Sequence, residues 1–157
     1  MGNNWKITDT LTKVFADEVP DGQGSIRLST LHRETVSCVI AYFGVADWGR
    51  YWKVSVKAPE KIETRLRRVE LVPSAYPCHK EQDDNYLRIV PGMYPDLLRD
   101  LDTEDDGADK KYLTKEVPGQ WRSLWLDVTV DAELAGGDYA IAVSYTHLRA
   151  HETAANL

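Results

Sequence analysis

The stretch Tyr51-Trp52-Lys53-Val54-Ser55-Val56-Lys57-Ala58 alternates apolar and polar side chains. Successive side chains of a strand point to opposite faces. Trp52, Val54, Val56 and Ala58 therefore share one face, and Lys53, Ser55 and Lys57 the other. The pattern predicts a half-buried β-strand.

The same period of two recurs along the chain. In Glu34 to Phe43 it places Val36, Cys38, Ile40 and Tyr42 on one face and Val39, Ala41 and Phe43 on the other, which predicts a strand covered on both sides. Trp121 to Val130 aligns Leu124, Leu126, Val128 and Val130. Ile62 to Val72 starts with Ile62, Thr64 and Leu66 in phase, then shifts to Val69 and Leu71, which predicts a β-bulge near Arg67-Arg68. Shorter strands are expected over Leu11 to Phe15, over Ser25 to Leu31, and after the Gly136-Gly137 turn. Helical periodicity is almost absent; Tyr94 to Leu101 is expected as a short helical turn that Pro95 holds near its first residues. Short strands separated by Gly, Pro and Asp turns predict an all-β fold, an antiparallel β-sandwich. The stretch from about 73 to 118 reads as a long irregular insertion, of the kind that is often functional.

With 157 residues, 43% hydrophobic and 28% charged, the chain has the length of one domain and the composition of a globular one. Its net charge of −6 argues against nucleic acid as a partner, because phosphate recognition needs clustered Lys and Arg. The densest basic cluster, Arg65, Arg67 and Arg68, reads as strand-face charge. No run approaches the roughly 20 apolar residues of a membrane span, and the start lacks an apolar signal core. A cytoplasmic protein with no membrane partner is expected. Cys38 and Cys78 are too few for a disulfide framework or a zinc site; Cys38, inside an apolar alternation, reads as a buried thiol.

Residues 143–157 read differently. Val143 to Glu152 resembles the codon-by-codon translation of a transposon adapter used to prepare DNA sequencing libraries, and the remaining residues fit an index and its flanking bases. Residues 1–142 are therefore expected to form the domain and 143–157 a foreign tail. His147 and His151 carry no metal or catalytic expectation for that reason. Removing the tail takes away Arg149 and Glu152, one charge of each sign, so the net charge holds.

Candidate chemistry is sparse. Asp102-Thr103-Glu104-Asp105-Asp106-Gly107 begins like an EF-hand loop, but Leu113 stands where the bidentate Glu should be, so an acidic surface loop is expected. His79, Asp83 and Asp84 lie close together and read as surface groups. No acid and base pair is assignable, because glycosidase carboxylates need a separation of about 5 to 9.5 Å that sequence spacing does not fix. No catalytic residue, metal or cofactor is expected. The aromatic residues say more. Trp121 and Trp125 lie opposite Leu124, Leu126 and Val128, which fits a doubly buried strand or a face that docks another domain. Trp48, Tyr51 and Trp52 cluster near Gly49, where rings can stack on sugars or pack in a core.

Three stretches also resemble the N-terminal portion of glycoside hydrolase 123-like proteins, which carry the domain of unknown function numbered 4091. They are Arg33-Glu34-Thr35-Val36-Ser37; Val69-Glu70-Leu71-Val72-Pro73-Ser74, leading into Asp83-Asp84-Asn85-Tyr86-Leu87-Arg88 and Pro91-Gly92-Met93-Tyr94-Pro95-Asp96-Leu97-Leu98; and Gly119-Gln120-Trp121-Arg122-Ser123-Leu124-Trp125 with the Ala135-Gly136-Gly137-Asp138-Tyr139 turn. In the first, Cys38 and Val39 replace the family's Phe-Gln. The resemblance implies a non-catalytic β-sandwich preceding a (β/α)-barrel related to β-N-acetylhexosaminidases, with that barrel as its partner. A free-standing carbohydrate-binding sandwich is the alternative. The resemblance carries no catalytic position onto this chain.

Overall fold

The computed structural model describes residues 4–45, 51–80, 85–105 and 110–148. They form nine strands: β1 (Trp5–Thr8), β2 (Thr35–Phe43), β3 (Tyr51–Lys57), β4 (Ile62–Ser74), β5 (Gly92–Asp100), β6 (Asp102–Asp105), β7 (Lys110–Lys115), β8 (Trp121–Val130) and β9 (Ala142–Leu148). A five-stranded sheet runs β1-β2-β8-β4-β5 and a four-stranded sheet β6-β7-β3-β9. All pairings are antiparallel. The expected all-β sandwich is the observed architecture, and no helix occurs among the described residues.

The core lies where the alternation places it. Cys38, Ile40 and Tyr42 of β2 meet Trp52, Val54 and Val56 of β3, with Leu66, Leu124, Leu126 and Val128 beside them. The other face of β2 is covered as well: Val39 and Ala41 pack with Val14 and Trp121 in a second cluster. The double burial expected of β2 follows, because the segment before it folds back over the outer face of the larger sheet.

Several expectations need correction. The stretch 73–118 is not an irregular insertion, since it holds the end of β4 and all of β5, β6 and β7. Strand β5 escapes a periodicity reading because it is a sheet edge with mixed exposure. Tyr94 to Asp100 is strand rather than helical turn; Pro95 fits because an edge strand tolerates a missing N–H. The bulge lies in β5, not β4: Glu70 pairs with Leu97 and Leu71 with Pro95, so Asp96 is the extra residue. Strand β4 stays in unbroken register with β8 from Ile62 to Val69. Its apolar phase shifts because Val69 is buried on the outer face, while Arg68 and Glu70 pair on the inner one.

Leu11 to Phe15 and Ser25 to Leu31 are not strands either. The first is a covering segment that starts with an Asx turn, in which Asp9 Oδ1 accepts from the amides of Leu11 and Thr12. The second is extended without a ladder. Asp138 to Ile141 is likewise outside the sheet, and the last strand begins at Ala142. Residues Ala142–Leu148 pair with β3 from Lys57 to Tyr51; backbone hydrogen bonds make this ladder and accept any sequence that fits the pleat. Both cysteines are thiols. No helix of the described residues is long and apolar enough to cross a membrane.

Candidate functional site

Of the two readings open for the aromatic cluster, the core one holds for Trp52. Trp52 is 1% exposed, and its ring is 4.7 Å from that of Trp5, 4.7 Å from Tyr145 and 5.2 Å from Tyr42. Its Nε1 donates to Glu116 Oε2 at 2.9 Å. A ring so enclosed has no face to offer a sugar. Tyr51 is half-buried and neighbours Trp52 on a strand, so it faces the other way; the Lys115 ammonium lies 5.7 Å from its ring. Trp48 lies outside the described residues.

Trp121 and Trp125 share the outer face of the larger sheet, as expected. Trp121 is only 7% exposed, under Val14 and beside Phe43. Its backbone amide donates to the Ala16 carbonyl at 2.9 Å. The chain's own covering segment thus occupies the position where a docked domain would meet this indole. Trp125 is half-buried, and its Nε1 donates to Asp127 Oδ1 at 2.8 Å. Exposed apolar side chains are spread over several segments: Leu11 (85%), Val19 and Leu31 (71%) lie before β2, and Tyr76 (68%), Leu87 (71%), Ile89, Val90, Met93 and Leu97 lie on the β4–β5 connection and β5. That connection is pinned to the covering segment by Arg88, whose guanidinium lies 3.9 Å from the Phe15 ring and bonds Asp17 and Glu18.

The basic cluster is neutralised locally. Arg65 meets Asp100 at 2.7 Å and Arg67 meets Asp127 at 2.6 Å, while Arg68 pairs with Glu70. Three cations each carry a carboxylate partner, so no bare phosphate-gripping surface arises from them. On the inner face, Arg122 and Tyr42 sit at opposed positions of β8 and β2. Burial lowers the pKa of the Arg122 guanidinium and raises that of the Tyr42 phenol.

Among the described residues no group of His, Cys, Asp and Glu is placed to hold a metal. The His79 ring packs edge-on against Tyr76 at 5.6 Å; Asp83 and Asp84 lie outside the described residues. Asp102 to Asp105 form strand β6 rather than a loop, paired with β7; Asp106 and Gly107 lie outside the described residues.

One concavity was not legible in the sequence. It is a cavity of ≈ 860 Å³ at the end of the sandwich where β2 begins and β8 ends. Val36, Cys38 and Ile40 of β2 and Leu126, Val128 and Val130 of β8 form its floor. Two straps outside the sheets, residues 24–30 and 134–141, form its walls, and Arg27 bonds Asp138 across them at 2.7 Å. Burial pushes the Cys38 thiol up to about 11, the nearby Asp127 charge adding to the effect. The space opens to solvent between the two straps. The sequence offered both straps only as short strands, Ser25 to Leu31 and the stretch after the Gly136-Gly137 turn, and gave no sign that they meet. Compared with known protein families and with curated proteins, the chain matches none.

Proposed function

We propose that this chain is a non-catalytic β-sandwich domain of a glycoside hydrolase-like parent, built to pack against a following catalytic domain. The resemblance of its three sequence stretches to glycoside hydrolase 123-like proteins supplies the parent's chemistry. The observation that carries the docking role is the row of exposed apolar side chains from Tyr76 to Leu97. A contiguous exposed apolar patch marks a contact site, and this stretch carries several exposed apolar side chains among its described residues. The docking surface is thus the β4–β5 connection, and not Trp121 with its covered indole. The carbohydrate-module alternative has lost the Trp52 ring as a platform.

Reading the natural gene onward from the Ala142 codon tests this. The expected result is an open frame with alternating strand and helix patterns, whose protein loosens at the domain junction when Leu87→Asp and Val90→Asp are introduced. Limited proteolysis reads that loosening. Natural codons for Val143 to Leu157 followed by a stop would overturn the proposal.

A further inference from the structure

We infer that the cavity at the end of the sandwich binds an unbranched acyl chain, inserted between the larger sheet and the two straps. The inference stands apart from the parent's chemistry, because it uses only this domain's own residues.

The floor selects the ligand class. Val36, Cys38, Val128 and Val130 line it with methyl groups and one thiol, with no charged side chain among them, and Cys38, Val128 and Val130 are nearly closed from solvent at 4%, 6% and 9% exposed, so a ligand reaches them only as the straps part. Such a surface gains nothing from hydroxyl-rich ligands, since each buried hydroxyl without a partner is penalised. It also lacks the flat ring on which a sugar stacks; Tyr139, the cavity's aromatic residue, stands on the strap and is 43% exposed. An apolar floor favours the apolar part of a ligand over water, and this volume lies within the range of small-molecule sites, about 300–1,000 Å³.

The walls allow entry. Residues 24–30 and 134–141 belong to neither sheet, so they can part without breaking a ladder. The Arg27–Asp138 pair that joins them is exposed on both sides, 81% and 88%, and such pairs are weak. Polar groups concentrate at this rim, where Ser29, Thr30 and His32 join the pair. A chain with one polar end would place its tail on the floor and its head there.

The test is titration of the methyl-labelled protein with sodium dodecanoate below its micelle concentration, followed by NMR. The expected result is saturable shifts at Val36, Val128 and Ile141, with Val14 and Val54 unmoved. Val128→Phe, which fills the floor, should weaken binding at least about ten-fold. Val36→Phe makes the same test from β2 if the first variant fails to fold. Phosphatidylcholine vesicles form the second arm: sedimentation with vesicles but no binding of monomeric dodecanoate would overturn the cavity in favour of a membrane surface. Shifts that are unsaturable, spread equally to Val14 and Val54, or unchanged in folded Val128→Phe would also overturn it. So would equal protection by N-acetylglucosamine oligomers.

Discussion

The Trp52 indole donates to the Glu116 carboxylate at 2.9 Å, and both side chains are buried, at 1% and 3% exposed. The second carboxylate oxygen accepts from the Val45 amide. One acid thus joins β3, the residue after β7 and the segment leaving β2. Burying a carboxylate is costly unless its oxygens are bonded, so the site tolerates few replacements. Glu116→Leu should cost about 3 kcal/mol and Glu116→Gln about 1 kcal/mol, as the amide still accepts from one donor. Urea unfolding followed by tryptophan fluorescence measures both.

Gly44 makes a sharper test of geometry. A Cβ built there would lie 2.0 Å from the Val117 carbonyl oxygen. The closeness is enforced by two backbone hydrogen bonds, Gly44 N to Gln120 O at 3.0 Å and Gly119 N to Gly44 O at 2.8 Å. Gly44→Ala should destabilise by about 3 kcal/mol through this clash. A midpoint within error of the parent's would show that the strand crossing yields.

Asp127 collects the outer-face polar network. It accepts from Ser37 at 2.7 Å, Trp125 at 2.8 Å and Arg67 at 2.6 Å. Its side chain is 15% exposed and that of Arg67 22%. Asp127→Ala should cost about 3 kcal/mol, because it leaves the Arg67 charge partly buried without this partner. Combining it with Arg67→Leu should recover part of that loss, which a double-mutant cycle reports.

Cys38 gives a pH test. Its thiol is pushed up to about 11 from an ordinary 9.0 by burial, so the fold favours the protonated form. The folded state then holds more protons than the unfolded chain between these values, and stability falls as pH rises through them. That contribution is complete below about pH 9 and lost by about pH 11. Cys38→Ala should remove this component of the alkaline slope. Under native conditions at neutral pH, alkylation should reach the half-exposed Cys78 first, as peptide mass mapping would show.

Much of the fold was legible because burial imposes a period of two on β2, β3 and β8, whose ends fall within a residue of the alternating runs. Strands β5, β6 and β7 were not legible. Edge and short strands bury too little for a clean alternation, and Pro95 imitates a helix stop where it marks a bulged edge. Tyr51 and Trp52 could not act together as a flat platform for a local reason: they are sequence neighbours, and neighbours on a strand do not share a face.

By itself the sequence determined that this chain makes a sheet fold, which residues of β2, β3 and β8 face inward, and that Val39 and Ala41 also need cover. Those follow from alternation, a property of local chain geometry. Only the tertiary structure decided that Val14 supplies that cover over Trp121, that Glu116 meets Trp52, and that two straps more than a hundred residues apart enclose a cavity. Each depends on which distant segments meet, and that is set by the total burial and hydrogen bonding of the assembled sandwich rather than by any stretch read alone.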